Sequence, residues 1–461
     1  MTAVLPSRGQ HVPSPRGVPL IGSARELRRD LLGLHLRAMR EHGDVVRFWA
    51  GPPGARLVFY TVYHPDAVQR VLAGESGRYR KDNPFYAEVR WAFGDGILSS
   101  QDERWRRQRR LTQPLFTKAR VAAAVPSIVA ETDRLAQRWR PAAGGDGIVD
   151  LHAEMTRLTM LVVGRAVFGA DFEEVLPAVS ETFPPLAEYT LKRGFAPLRT
   201  PRSWPTPANR RAASAQRALY RVVDGMVARR RAAPTGTDDL LTLLLDARDP
   251  QTGQALDDAE IRDQALIFLL AGHETTATTL TMALHLLGRH PEVQARVRAE
   301  VDTVLCGRTP VAGDLARLDY TTMVVQETTR LYPAAFIIGR RTPSGDRIGE
   351  FSIPPRADVY VCPWATHRHP GFWAYPDRFD PERFTSERAA TRHRYAWIPF
   401  GGGPRACIGQ HFSIVESLAA IALLIRAYHV NTPSGDIPLA TKITLRPAGP
   451  VPCSITPTTT A

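Results

Sequence analysis

The stretch Phe400-Gly-Gly-Gly-Pro-Arg-Ala-Cys-Ile-Gly409 joins a glycine-rich turn to a cysteine and then to an apolar run. The apolar periodicity that follows predicts a helix beginning near Gln410. A thiol at a helix N-terminus lies at the positive end of the helix dipole, which favours the Cys407 thiolate. Thiolates bind soft metal ions and iron cofactors. The glycines allow positive φ and a close approach of the backbone to a flat ligand, and Arg405 can pair with a carboxylate.

This stretch resembles the cytochrome P450 signature F-x-x-G-x-R-x-C-x-G, with all fixed positions present: Phe400, Gly403, Arg405, Cys407 and Gly409. The resemblance implies a mostly α fold with a small β-rich part and heme b as the cofactor. It further implies that Cys407 is the ligand of the heme iron, that Phe400 packs near the thiolate and that Arg405 binds a heme propionate. The alternative is a buried structural cysteine before a helix.

Composition predicts a soluble cytoplasmic protein without a membrane anchor. The 461 residues are 44% hydrophobic, but they contain no charge-free apolar stretch of about 20 residues and no N-terminal signal-peptide region. The four cysteines, which lack a C-x-x-C spacing, predict neither a disulfide framework nor a zinc site. We see no internal repeat and expect one domain over residues 1–461, with a proline-rich arm at residues 1–22.

The formal net charge of +13 does not indicate nucleic-acid binding, because the basic residues are spread along the chain and all but four are arginine. An acidic protein partner is a better explanation of this charge.

Local patterns predict several elements before the central helix. We expect a helix at 27–41, strands at 45–49 and 56–62, and an aromatic loop at 82–100 that covers the substrate pocket in the resembled family. From about 120 to 250 the pattern is helical. It is interrupted at Gly144-Gly145 and by a proline-rich stretch at 184–207, which corresponds to the family's mobile lid.

Trp105 and Arg109 are four residues apart and share a helix face. They match the family's W-x-x-x-R element, which implies that both bind heme propionates. The neighbouring arginines are predicted either to form a solvated surface or to dock an acidic electron donor: Arg104, Arg106, Arg107 and Arg110.

A capping box at Asp257 and Glu260 opens a predicted helix of roughly 33 residues, about 50 Å long, that ends near His290. Glu274 and Thr275 lie in its apolar middle, which predicts a polar pocket inside the core. The run resembles the family's A-G-x-[DE]-T-[TS] element. This implies that Ala271 and Gly272 leave space over the cofactor, and that Glu274 and Thr275 deliver protons. The alternative is a threonine bonded back to its own helix.

Glu327 and Arg330 are three residues apart on a helix that ends near Leu331. With Arg383 they resemble the family's structural E-R-R triad, which implies a buried ion network that holds the cysteine loop. A propionate-binding arginine is implied at Arg340 or Arg341. The preceding segment is expected to line the substrate pocket.

The resemblance covers nearly the whole chain and implies a bacterial, actinobacterial-type P450 monooxygenase that inserts one oxygen atom of O2 into a C–H bond. Electrons are expected from a ferredoxin and an NAD(P)H-dependent ferredoxin reductase. The pocket candidates indicate a lipophilic substrate, first a terpenoid or polyketide: Phe85, Tyr86, Ala335, Phe336 and Ile337. A fatty-acid hydroxylase, a peroxide-driven P450 peroxygenase and a heme sensor are the alternatives.

Overall fold

Helices dominate the computed structural model, which describes residues 11–74, 78–144, 147–169, 172–196, 199–233 and 239–458. The first ten residues of the predicted arm lie outside the described residues, as do Gly145 and two residues of the proline-rich stretch, 197 and 198. The predicted fold class, mostly α with a small β part, is confirmed.

The helices are α1 (Ala24–Arg29), α2 (Leu31–His42), α3 (Pro65–Ala73), α4 (Pro84–Phe93), α5 (Asp102–Thr112), α6 (Lys118–Ala143), α7 (Leu151–Phe168), α8 (Phe172–Gly194), α9 (Pro207–Ala232), α10 (Leu240–Asp246), α11 (Asp258–Arg289), α12 (Pro291–Leu305), α13 (Ala312–Leu315), α14 (Asp319–Leu331), α15 (Pro363–Thr366), α16 (Ser386–Ala390) and α17 (Gln410–Ala427).

The strands are β1 (Val45–Ala50), β2 (Leu57–Val62), β3 (Ile148–Asp150), β4 (Ile338–Thr342), β5 (Asp346–Ile348), β6 (Phe351–Ile353), β7 (Ala357–Val361), β8 (Tyr428–Asn431), β9 (Leu439–Thr441), β10 (Leu445–Pro447) and β11 (Pro452–Pro457). The largest sheet has the order β1-β2-β7-β4, with β2 and β7 parallel and the other pairs antiparallel. Strands β9 and β10 form a separate antiparallel hairpin.

Helix α11 contributes to both large hydrophobic cores. Its N-terminal half is buried in one core and its C-terminal half in the other. The predicted capping box is present: the Asp257 side chain accepts from Glu260 N at 2.7 Å, and Glu260 accepts from Asp257 N at 3.2 Å. A methyl group on Gly272 would lie 2.4 Å from a side-chain carbon of Val163. Gly272 therefore permits close packing of α7 on α11, in addition to lining a cavity.

Helix α17 begins at Gln410 as predicted and packs in the core that contains the C-terminal half of α11. It is the one described helix that is long and apolar enough to cross a membrane, and 61% of it is buried inside the protein. Core helices of water-soluble proteins pass the same test of length and composition, so this helix is weak evidence of a membrane span.

Three predictions of local structure were wrong in detail. Residues 84–93 form helix α4 rather than a loop, because Asn83 caps it by accepting from Tyr86 N at 3.1 Å and Pro84 opens it. The predicted helix at 27–41 is divided at Asp30, whose side chain caps α2. Helix α8 continues through Pro184 to Gly194, so the chain leaves the helix later than the proline content suggested.

The structure places Glu327, Arg330 and Arg383 in contact. Arg330 donates two hydrogen bonds to the Glu327 carboxylate at 2.6 and 2.7 Å, and both side chains are fully buried. Arg383 Nε lies 3.3 Å from Glu327 Oε1. Burial raises the pKa of Glu327, whereas Arg330 lowers it. Because each charge has an opposite neighbour, the network can remain in the core.

A histidine connects this network to the cysteine turn, residues 400–409. His367 Nδ1 donates to the carbonyl of Arg330 at 3.0 Å, and its Nε2 accepts from Ile398 N at 2.8 Å. Burial lowers the pKa of His367 to about 3, so the ring is neutral and has one donor and one acceptor. His367 therefore connects α14 to Ile398, which lies just before the cysteine turn.

We predict that Glu327→Gln lowers the free energy of unfolding by about 3–5 kcal/mol, because it leaves buried guanidinium groups without their carboxylate. Urea denaturation measures the loss. The matched control is Glu382→Gln, whose half-exposed carboxylate pairs with Arg296 and should cost under about 1 kcal/mol. Equal losses in the two variants would show that the buried network does not hold this region together.

Candidate active site

A cavity of about 350 Å³ lies between the middle of α11 and the cysteine turn. Its walls come from α4, α5, α7, α11, β4 and α17, together with the segment before β4. Most of the side chains that line the cavity are apolar, and the polar ones are mainly cationic or carry a hydroxyl group. The cavity brings together the following predicted site residues: Trp105, Arg109, Ala271, Gly272, Thr275, Arg340, Phe400, Arg405, Cys407 and Gly409.

The cysteine turn needs glycine at Gly403. This residue has φ +68°, and a methyl group on it would lie 2.2 Å from the carbonyl oxygen of Leu72. Gly401 also has positive φ, whereas Gly402 has an extended φ of −169°, so only two of the three glycines use the left-handed region. Cys407 N donates to Phe400 O at 2.9 Å, which closes the turn and presents the thiol to the cavity.

Opposing effects act on the Cys407 thiol, which is exposed where it lines the cavity. Burial is the largest and raises its pKa, while the backbone N–H groups of Gly409 and Gln410 and the charges of Arg109 and Lys81 lower it. The expectation that the helix N-terminus favours the thiolate was therefore incomplete, because desolvation outweighs it. Coordination to a metal ion deprotonates such a thiol.

Four cations line the cavity and form what we call the cationic cluster: Lys81, Arg109, Arg340 and Arg405. Among the described residues, neither aspartate nor glutamate lines this cavity. Lys81 donates to Leu98 O at 3.0 Å and Arg109 to Ala406 O at 3.2 Å, but carbonyls do not neutralise the charges. The cluster is therefore suited to an anionic ligand.

The buried members of the cluster are destabilised by their surroundings. Burial, together with Arg340 and Arg405, lowers the pKa of Lys81 well below its usual value. Burial and Arg340 lower the pKa of Arg405 to about 10. Arg405 stacks over Trp105 at 4.3 Å, and its buried Nη1 has no hydrogen-bond partner within the described part of the chain. A carboxylate ligand would satisfy this donor.

The two candidate arginines in β4 point in different directions. Arg340 is 4% exposed and lines the cavity, whereas Arg341 makes two hydrogen bonds with Asp358, at 2.7 and 2.9 Å. Alternation along the strand separates the two side chains. Only Arg340 is therefore placed to meet a ligand in the cavity.

Glu274 and Thr275 do not bond each other. The Thr275 hydroxyl lines the cavity and donates to Ala271 O at 2.7 Å. The Glu274 carboxylate accepts from the Thr444 hydroxyl at 2.9 Å and from Arg446 Nη1 at 3.3 Å, both near or in β10. The two side chains that were expected to act as an acid–alcohol pair therefore have different hydrogen-bond partners.

Four of the five pocket candidates line the cavity: Phe85, Tyr86, Ala335 and Ile337. Phe336 is not among the lining residues and lies instead in a core cluster with Tyr360 and Trp364. Sequence reasoning missed Lys81 and Thr444. The rarity of lysine in the chain was the one signal for Lys81, and Thr444 follows no motif that was recognised.

Ion pairs connect helix α4, which lines the cavity, to α8 and to the segment before α9. Glu88 on α4 is 4% exposed and lies 3.0 Å from Arg193 of α8 and 2.6 Å from Arg202 in the connection to α9. Phe85 packs against Phe195 with ring centroids 5.6 Å apart. Helix α4, which contributes apolar side chains to the cavity lining, is therefore attached to the end of α8.

The remaining arginines of α5 have acidic partners in the protein: Arg104 with Asp95, Arg106 with Glu103, Arg107 with Glu260, and Arg110 with Asp249. Arg107 and Arg110 connect α5 to the segment around the start of α11. The exposed pairs of Arg104 and Arg106 are consistent with the predicted solvated surface, whereas Arg107 and Arg110 are partly buried in their pairs.

Comparison with known proteins shows the class to which this chain belongs. A sequence model of the family Cytochrome P450 matches residues 12–451. The chain is 36% identical to cyclooctatin synthase of Streptomyces melanosporofaciens, over 96% of this chain and 95% of that protein. It is 33% identical to pentalenene oxygenase of Streptomyces avermitilis, over 92% of each. The crystal structure of the cytochrome P450DA heme domain is similar with a TM-score of 0.88 and 28% identity, over 98% of each chain.

The chain therefore belongs to the cytochrome P450 family. It is a P450 monooxygenase of the actinobacterial type and uses heme b, as the sequence predicted. The cavity fits this cofactor, which is flat and apolar and carries one iron and two carboxylates. A thiol opens into the cavity, four cations lack an acidic partner on its walls, and Arg405 has a buried donor without a partner.

We predict that Lys81→Met weakens retention of heme, because the cluster loses a buried cation that would attract the carboxylates of the cofactor. Transfer of heme to an acceptor apoprotein measures the rate of loss, which should rise roughly tenfold if the pair contributes about 1.4 kcal/mol, within the range for charge-assisted hydrogen bonds. The control is Lys118→Met at an exposed lysine, which should not change the rate. Faster loss in both variants, or in neither, would contradict a role for Lys81 in the site.

Proposed function

We propose that Cys407 is the thiolate ligand of the heme iron, and that Trp105 and the cationic cluster bind the heme propionates. The support is the meeting of the thiol and the unneutralised cations in one apolar cavity. Heme bound through a thiolate activates dioxygen for insertion of one oxygen atom into a C–H bond. Phe400 and Gly409 then shield the thiol, and Ala271 and Gly272 leave room on the opposite face.

Glu274 and Thr275 are our proposed proton donors. Thr275 presents its hydroxyl to the cavity, and Glu274 supplies an acid one residue away on α11. An acid near a hydroxyl at a site shielded from water can move protons during catalysis. The presence of these residues favours the dioxygen-using monooxygenase over a peroxide-driven peroxygenase or a heme sensor. The triad of Glu327, Arg330 and Arg383 keeps a structural role.

The proposed substrate class is a terpenoid. Most of the cavity lining is apolar. Among the described residues, its charged side chains are those of the cationic cluster, which we propose to bind the propionates. The relative named pentalenene oxygenase oxygenates a terpenoid, and this chain is similar to it over 92% of each chain. A polyketide skeleton fits the same wall, and a fatty acid is the alternative.

Bacterial members of the family typically receive electrons from separate redox proteins. A ferredoxin and an NAD(P)H-dependent ferredoxin reductase, acting in the cytoplasm, are the donors that we propose. The net charge of +13 favours an acidic ferredoxin. Docking must use arginines other than the four on α5, or must rearrange their ion pairs.

We predict that Cys407→Ser abolishes both oxygenation and the thiolate-type Soret band of the ferrous carbon monoxide complex, since a hydroxyl does not replace a thiolate as iron ligand. Absorption spectroscopy of the reduced, heme-loaded protein gives the answer. Cys306→Ser, at an exposed cysteine on the C-terminal end of α12, should retain both properties. A normal thiolate spectrum in Cys407→Ser would refute the ligand assignment.

A second prediction concerns the substrate. Titration of the ferric protein with terpenes should shift the Soret band to shorter wavelength, because a ligand that displaces the distal water converts low-spin iron to high spin. Macrolides, fatty acids and steroids form the comparison panel. If fatty acids give the shift and terpenes do not, the terpenoid proposal is wrong and the alternative replaces it.

A further inference from the structure

We propose that Thr444 and Arg446, on the β9–β10 hairpin, connect Glu274 to the cavity and to solvent, and that Thr444 is the hydroxyl through which protons from Glu274 enter the cavity. The proposal rests on the proposed role of Glu274 as proton donor. Its observation is the pair of contacts to one carboxylate: the Thr444 hydroxyl at 2.9 Å on Oε2 and Arg446 Nη1 at 3.3 Å on Oε1.

These three side chains form a path from the surface to the cavity. The Arg446 side chain is 34% exposed and that of Glu274 is 14% exposed, whereas Thr444 is 7% exposed and lines the cavity wall. Water can therefore reach the outer end of the path, while its inner end is a hydroxyl in contact with the reaction space.

Direct transfer from Glu274 to Thr275 is poorly supported by the geometry. Adjacent residues on a helix point about 100° apart, so their side chains do not face each other. The Thr275 hydroxyl already donates to Ala271 O at 2.7 Å. Thr444 is the hydroxyl that the described residues place on the Glu274 carboxylate, and it belongs to a different element of the fold.

The transfer needs a proton from water at one end and, at the other, a basic oxygen atom derived from the dioxygen co-substrate as the acceptor in the cavity. When Glu274 is protonated, its O–H donates to the Thr444 oxygen, and the O–H bond of Thr444 breaks as its proton bonds to that acceptor. The O–H bond of Glu274 breaks as a new O–H bond forms on Thr444. The carboxylate that remains is reprotonated from solvent at its exposed side.

Arg446 acts as a positioning residue. It binds Oε1 of the Glu274 carboxylate, whose side chain is 14% exposed, and so holds that carboxylate toward the hairpin. His152 of α7 and Glu188 of α8 are within electrostatic reach of Arg446, and Glu188 is also within reach of Lys442 of the hairpin. Side chains of α7, α8 and the hairpin are therefore close to the outer end of the path, at Arg446.

The hairpin has anchors that do not involve Glu274. The Thr278 hydroxyl donates to Leu445 O at 2.9 Å, and Leu445 N donates to Ala334 O at 2.8 Å. Thr278 is on the same helix as Glu274 and does not line the cavity. Thr278→Val therefore removes one contact between α11 and the hairpin and leaves the contacts of Glu274 in place, which makes it a matched control.

The experiment compares Thr444→Val, Thr444→Ser, Arg446→Met, Glu274→Gln and Thr278→Val in the heme-loaded protein, with a surrogate ferredoxin and reductase. The probe is the terpene with the largest spin shift in the titration above. Product, hydrogen peroxide and NAD(P)H consumption are measured together. We expect Thr444→Val and Glu274→Gln to lower product formed per NAD(P)H by tenfold or more, since a positioned proton donor contributes about 10²–10⁴-fold to a rate. Thr444→Ser should restore coupling, and Thr278→Val should not change it.

A second readout is independent of activity. The denaturation midpoints of Glu274→Gln, Arg446→Met and the double variant should be non-additive if the two side chains bond each other in solution. Loss of coupling in Glu274→Gln with full coupling in Thr444→Val would overturn the inference alone. Full coupling in Glu274→Gln would overturn the proposed role of Glu274 itself. Equal uncoupling in Thr278→Val would show that hairpin anchoring, rather than the Thr444 hydroxyl, is responsible.

Discussion

Uncompensated positive charge in an apolar cavity is the constraint on which the site depends. Lys81, Arg340 and Arg405 are held together with Arg109 around one space, and desolvation lowers the pKa of each. Such a group is costly unless a ligand supplies negative charge. The two carboxylates of heme b would do so in the assignment that we propose, with Cys407 as the ligand of the iron. Cofactor binding and stability of this region are therefore coupled.

A second requirement is that the cysteine turn stays in place while the cofactor is bound. Gly403 lets the turn lie against the carbonyl of Leu72, and His367 connects Ile398 to the helix that contains Arg330. The buried charges of the triad act through this connection, far from the cavity wall. On the opposite side, Glu274 interrupts the apolar middle of α11. Its partners Thr444 and Arg446 come from the β9–β10 hairpin, so we expect that hairpin to influence the chemistry.

Much of this arrangement could be predicted from local sequence. The capping box at Asp257, the start of α17 at Gln410 and the end of α14 at Leu331 depend on residues within a few positions of each boundary, so they were found correctly. Helix α4 was missed although Asn83, Pro84 and Gly94 are capping signals, because its aromatic side chains hide the helical period. Phe336 was assigned to the pocket because an apolar run does not show which of its side chains reach the cavity and which pack in the core.

The sequence by itself determined the family and the cofactor, because the residues around Cys407 are contiguous and their spacing is specific. The same motif is the source of our proposal that Cys407 is the iron ligand. Tertiary structure alone decided which groups meet across long separations in the chain. It brought Lys81 to Arg405, selected Arg340 over Arg341, and placed Thr444 on Glu274. These contacts join helices to strands that are distant in sequence, and no local pattern of side chains specifies them. They follow from how the elements pack, which is a property of the whole chain.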